Sequence, residues 1–182
     1  MPTYVAFLRG INLGARRKFP MAAVRACAEQ AGFTDVATHI NSGNLRLRTT
    51  MRSRRRVEDA LEAAFAADRG FDVPTVVFGT TELAGVAADA EELAAAYPGA
   101  ERHFVHLVRE EPTAEVRAEL EGRSEGAARV AVRGRSVHLL HGPGYVPGRT
   151  DPTGVERLLG VSTTRNARVV ATLVDQWCRG GT

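Results

Sequence analysis

The sequence predicts a mixed α+β protein of two tandem ferredoxin-like (split βαβ) halves with antiparallel-rich sheets. Three observations predict it. Within the first 80 residues, segments of strand period and helical period follow one another as βαββαβ. The pattern begins again near residue 100, and each helical segment carries a single apolar stripe, so its helices cover one sheet face.

Residues 4–8 read as the first strand. Residues 20–31 follow as a helix, with Met21, Val24, Cys27, Ala28 and Ala31 on one stripe and Gly32 as its stop. Residues 35–41 and 44–49 make a hairpin in which Leu45 and Leu47 face one way and Arg46 and Arg48 the other. Val57, Ala60, Leu61, Ala64 and Phe65 then recur at helical spacing up to Gly70, and residues 73–78 make a short strand. Residues 81–96 are rich in Ala and Glu and end before Pro98, as a helical connector does. Beyond it, 102–108 reads as a strand, 112–120 as a helix, and 128–133 with 136–141 as a second hairpin turning at Gly134. Two helices, 153–159 and 164–177, close the chain, and no final strand is evident. The expected organisation is a βαββαβ subdomain over 1–80, a helical connector over 81–99, and a βαββ subdomain with two C-terminal helices over 100–182.

Composition bounds the function classes. The chain has 182 residues, 44% hydrophobic and 25% charged, which places it among folded globular chains and excludes collagen-like and coiled-coil structure. No run reaches the roughly 18 apolar residues of a membrane helix. The first residues lack the pattern of an export signal, and two cysteines make no disulfide framework, so a reducing, cytoplasmic address is expected. Charge is uneven: residues 1–70 carry 12 basic and 6 acidic side chains, 71–125 carry 4 and 12, and 126–182 carry 8 and 3. Basic ends suit an anionic ligand; solvated faces, or two halves docked by complementary charge, are the simpler reading.

Three polar clusters fall where strands turn or helices begin: Arg9-Gly10-Ile11-Asn12, Ser42-Gly43-Asn44 and Thr163-Thr164-Arg165-Asn166. Thr163 reads as a helix cap, which puts Arg165 in a first turn where a cation is unfavourable unless an anion or carboxylate answers it. Arg54-Arg55-Arg56 behind Ser53 poses the same puzzle, with Glu58, Asp59 and Glu62 as expected partners. Catalytic patterns are weaker. His39 near Ser42 has no orienting carboxylate, and His103/His106 and His138/His141 are each separated by three residues, which on a strand sends them to opposite faces; His138 and His141 read as satisfied surface histidines. No spacing of Cys and His suggests a metal site, and the Gly- and Pro-rich run 142–148 lacks the frame of a phosphate loop and reads as a connector or flap.

The segments YVAFLRGINLG, PMAAVRACAEQAGFTDV, INSGNL, RGFDVP and LLGVSTTRN, in that order, resemble the bacterial family called domain of unknown function 1697. The resemblance implies two related ferredoxin-like subdomains and no activity, and carries the family's polar positions onto Arg9, Gly10, Asn12, Ser42, Gly43, Asn44, Thr164, Arg165 and Asn166. The chain departs from the family pattern at Ala167, Val169 and Leu47.

The leading expectation is a binding protein whose small anionic ligand is held by Arg9, Asn12, Ser42, Asn44, Arg165 and Asn166, with no cofactor and no membrane partner. One alternative is an enzyme acting on a phosphorylated or carboxylated small molecule, with a histidine such as His39 moving protons. The other is a nucleic-acid module using Arg46 and Arg48 on an open sheet face, weakened by the absence of interleaved aromatics.

Overall fold

The computed structural model describes residues 1–14 and 16–179. The chain divides into two compact units, Met1–Leu83 and Ala84–Thr182.

In the first unit the elements are β1 (Thr3–Leu8), α1 (Met21–Gln30), β2 (Thr34–His39), β3 (Asn44–Arg48), α2 (Arg54–Arg69) and β4 (Thr75–Gly79), and α3 (Thr80–Ala96) begins here and runs on into the second. The sheet has the order β2-β3-β1-β4 with every neighbouring pair antiparallel. Tyr4, Ala6 and Leu8 of β1, with Leu45, Leu47 and Val77, face the apolar stripes of α1 and α2, where Val24, Ala28, Val57, Leu61 and Phe65 are buried. Phe19 closes this core edge-on to Phe65 at 5.2 Å. The alternate residues Val5, Phe7, Val76 and Phe78 are also fully buried, so β1 and β4 are apolar on both faces.

α2 starts at Ser53, whose hydroxyl accepts from the Arg56 amide, and stops at Gly70 in the left-handed conformation (φ 71°) that glycine adopts without strain. Glu58 and Glu62 have a task that the sequence did not suggest. Glu58 Oε1 accepts from the Val77 amide (3.0 Å) and Glu62 Oε1 from the Thr75 amide (2.7 Å), which are the outward N–H groups of edge strand β4. Asp59 makes an ion pair with the run, to Arg55 at 3.1 Å.

The second unit contains β5 (Arg102–Val108), α4 (Ala114–Glu121), β6 (Ala128–Arg133), β7 (Ser136–His141), α5 (Pro152–Glu156), β8 (Ser162–Asn166) and α6 (Ala167–Trp177). Its sheet order, β6-β7-β5-β8, repeats that of the first, again antiparallel throughout. Strand β8 corrects the sequence expectation. Residues 162–166 are not a helix start but the fourth strand, paired along β5 from Phe104 opposite Asn166 to Val108 opposite Ser162. Thr-rich, β-branched residues favour that extended state, and the helix periodicity of Val170, Leu173 and Val174 takes over only after Asn166. Thr163 is therefore a strand residue, and the helix cap is Asn166, whose side chain accepts from the Arg168 amide at 2.9 Å.

One further expectation changes. His138 and His141 are buried and not on the surface, as is His106. Residues 142–148 lie in the connection from β7 to α5, which is fastened: the Tyr145 ring stacks on His141 at 3.7 Å and 5°, and the Thr150 carbonyl lies 2.9 Å from His141 Nε2. No helix among the described residues is long and apolar enough to cross a membrane.

Candidate functional site

Four of the six residues singled out by the sequence gather at one end of the first sheet. β1 leaves the sheet at Leu8, whose amide donates to the Gly43 carbonyl (2.8 Å), and the Arg9 amide donates to Pro74 (2.9 Å). Asn12 adopts a left-handed backbone (φ 57°), which asparagine tolerates better than most residues. Its amide oxygen accepts from the Phe19 amide, and its nitrogen donates to the carbonyls of Phe19 and Asn41, each at 3.1 Å. Asn12 thus ties the loop after β1 to the β2–β3 turn. Asn44 is fully buried and donates to His39 O (3.1 Å) and Ser42 Oγ (2.9 Å), holding the turn closed.

Gly43 is the close approach that makes this junction. It has φ 74°, and a Cβ there would lie 2.8 Å from Leu8 Cβ and 3.0 Å from Ile11 Cδ1. Arg17, missed in the sequence, is a second fastener: Nε donates to Gly10 O and a terminal nitrogen to Asp72 O, both at 2.6 Å, with the guanidinium 4.6 Å over Phe71. The amides of Asn12 and Asn44 are therefore spent on architecture, and Asn12 and Ser42 are the exposed members of the cluster beside half-buried Arg9.

Arg165 and Asn166 belong to the second unit. Arg165 sits in β8 opposite Val105, 8% exposed, and one terminal nitrogen donates to Thr163 Oγ1 (2.7 Å) and Thr164 O (2.8 Å). Burial lowers its pKa to about 10. Asn166 is exposed and opens a cleft of about 370 Å³ at the start of α6, lined also by Arg168, His103, Glu101 and Glu91.

On the sheet face that carries Arg165 runs a buried polar chain that sequence reasoning did not find. Ser136 Oγ donates to the Arg133 carbonyl (2.8 Å); His138 Nε2 lies 3.0 Å from Ser136 Oγ; His138 Nδ1 lies 3.0 Å from His103 Nε2. Burial holds both imidazoles neutral, His103 at a pKa of about 4 and His138, with the added charge of Arg133, at about 3. The parity that separates His103 from His106 is real. The partner of His103 comes instead from across the sheet, diagonal to it through the pair Val105–His138. On the other face His106 contacts Thr164 Oγ1 at 3.1 Å.

Among the described residues no three His, Cys, Asp or Glu side chains form a group able to hold a metal ion. Of the two arginines expected to face nucleic acid, Arg46 is answered within the protein by Asp35 at 2.8 Å.

The family model described as protein of unknown function (DUF1697) matches residues 1–138. The chain belongs to this family. The match contains the LRGIN and SGN clusters, all of β5 with His103, and β7 as far as His138, where it ends, before the TTRN segment. No curated protein matches the chain. Among solved structures, the conserved bacterial protein SP0830 from Streptococcus pneumoniae is similar in fold, with a TM-score of 0.74 at 20% identity over 97% of this chain and 98% of that one.

Proposed function

We propose that this DUF1697 protein binds a small anion, and that the ligand enters the cleft at the start of α6. One observation carries the reading: α6 begins inside a cleft of about 370 Å³ with a cation, Arg168, and no carboxylate in its first turn. Helix N-termini attract anions through unpaired N–H groups and the aligned peptide dipoles, and the arginine in that turn costs roughly 0.3 to 1 kcal/mol without one. The volume suits a metabolite rather than a polymer. Glu91 and Glu101 in the same lining favour a ligand of low net charge over a polyphosphate.

Of the residues expected to bind, Asn166 keeps that role here. Arg165, inside the sheet face, supports the strand that delivers it, and Arg9, Asn12, Ser42 and Asn44 organise the loop end of the first unit. The shared strand order and antiparallel pairing also support assigning both units to the ferredoxin-like, split βαβ class. The two free thiols, Cys27 and Cys178, suit the reducing cytoplasm.

The test is a thermal-shift panel of inorganic phosphate, sugar phosphates and organic acids on the native protein and Arg168→Glu, since a ligand of the native state raises the melting temperature. A shift abolished by Arg168→Glu, with a shallow salt dependence, is the expected result. A shift that survives the substitution moves the site elsewhere, and steep salt-dependent oligonucleotide binding supports the nucleic-acid alternative.

A further inference from the structure

The hydrogen bonds that end on His103 fix which of its nitrogens is left without a protein partner among the described residues, and in what state. The chain has a direction because one terminus is a carbonyl. Arg133 O cannot donate, so the Ser136 hydroxyl gives it its only proton, and Ser136 Oγ faces His138 as an acceptor. His138 must then carry its proton on Nε2. A neutral imidazole with Nε2 protonated presents a lone pair at Nδ1, so the bond to His103 is donated by His103 Nε2–H. His103 is left with an unprotonated Nδ1, which makes no hydrogen bond among the described residues, on a side chain that lines the cleft beside Asn166 and Arg168.

A chain of this kind holds a ring in one tautomer and one orientation, as a fixed acceptor requires. Arg168 and the backbone amides of α6 are donors only. Glu101 and Glu91 are acceptors and so is His103 Nδ1, so the cleft offers a donor side and an acceptor side.

We propose that the ligand of this cleft is a small anion that also carries a proton donor, a hydroxyl or an ammonium group, and that His103 Nδ1 accepts that proton in a hydrogen bond. The inference rests on the anion-binding reading and adds the second half of the ligand. A simple anion without a donor leaves the oriented lone pair of His103 unanswered, while a hydroxylated phosphate or a hydroxy or amino acid meets both sides. His103 acts here as a recognition residue, and His138 and Ser136 as positioning residues behind it.

Two measurements decide it. The tautomers are read first from two-bond ¹H–¹⁵N correlations of the histidine rings in labelled, unmutated protein at neutral pH. Both His103 and His138 are expected protonated on Nε2; protonation of His103 on Nδ1 overturns the inference with no ligand needed. Second, glycerol 3-phosphate and propyl phosphate, which differ in hydroxyls on the same three-carbon skeleton, are titrated against the native protein and His103→Phe. One hydrogen bond is expected to make glycerol 3-phosphate bind about fivefold tighter, with the preference lost in His103→Phe. Should that variant fail to fold, His103→Gln, with a shorter reach and an amide oxygen, serves the same comparison and is expected to blunt the preference. Equal binding of the two phosphates to the native protein overturns this inference and leaves the anion reading standing. Binding of neither overturns both.

Discussion

The ladder between β1 and β4 runs from Tyr4 opposite Gly79 to Leu8 opposite Thr75, and that between β5 and β8 from Phe104 opposite Asn166 to Val108 opposite Ser162. Aligned on these ends, Val5 matches Val105, Phe7 matches Leu107, Val76 matches Thr163 and Phe78 matches Arg165. On the neighbouring strands Asn44 matches Ser136 and Arg46 matches His138. β1 at Val5 and Phe7 and β5 at Val105 and Leu107 stay apolar on this face. The edge strand does not: where the first sheet buries Phe78 against Phe7, edge to face at 6.1 Å, the second buries a guanidinium that donates to its own strand and a threonine. One strand order thus supports two chemistries. In the first unit β1 and β4 present only apolar packing here, with Asn44 and Arg46 beside them on β3, and in the second the face houses the polar chain that reaches the cleft.

The largest test of that contrast transplants one face into the other. Phe78→Arg puts a charge where the first unit supplies Val5, Phe7 and Val76, and is expected to cost more than about 4 kcal/mol in urea unfolding. Near-normal stability would mean the two faces are interchangeable. The hairpins differ in the same way. Gly43 is pressed against Leu8, whereas a Cβ on Gly134 meets nothing within 4 Å, although both have positive φ. Gly43→Ala should destabilise by about 3 kcal/mol and Gly134→Ala by about 1, a ratio read from paired denaturation curves.

His138→Leu interrupts the polar chain and leaves His103 Nε2–H without its acceptor, a loss of roughly 1 to 3 kcal/mol at neutral pH. It also carries a pH signature. Both histidines are held below 6.5 in the folded state, so the unfolded chain binds protons first, and stability falls as pH drops from about 6.5 toward 4 and 3. Arg133, the charged neighbour of His138, acts in the same direction. Melting temperature against pH should therefore be flatter for His138→Leu than for the native protein over that window; parallel curves would show that the pair does not titrate as a buried neutral unit. The smallest effect is expected at Cys27, whose thiol donates to Ala64 O at 3.3 Å in the first core. Serine keeps a donor there but brings a more polar atom into an apolar site, so Cys27→Ser should cost about 1 kcal/mol.

Much of this architecture was legible in the residues. Helical spacing located α1, α2 and α4, and alternation located both hairpins, with residues 102–108, 128–133 and 136–141 read to the residue. The clusters around Arg9 and Ser42 were also correctly seen as polar residues at chain turns. Strand β8 was hidden because five residues of Ser, Thr, Arg and Asn show no apolar alternation, their partner being a strand some 55 residues earlier in the chain. The histidine chain was hidden for a related reason. Pairing of β6 with β7 follows from their shared turn, but the register of β7 on β5, which sets His138 diagonal to His103, depends on how α4 and β6 return the chain, and no local pattern states it. Asn12 and Asn44 illustrate the converse: residue type marked them correctly as special, yet only their partners distinguish a fastener from a ligand contact.

Glu58 and Glu62 on β4 have a counterpart in the second unit, where Glu121 Oε1 accepts from the Val132 amide (3.0 Å) and Ser124 Oγ from the Val130 amide (3.0 Å) of edge strand β6. An uncovered row of strand amides is a template on which another chain can add itself, and repetition of that event builds fibrils. Each sheet here has one border where side-chain oxygens, from α2 in the first unit and from α4 and Ser124 in the second, already accept from amides of that row, so an incoming strand must displace charged or hydroxyl acceptors before its own carbonyls reach those amides. These few side chains thus do as much for the colloidal life of the protein, in a crowded solution of its own copies, as for the stability of one molecule.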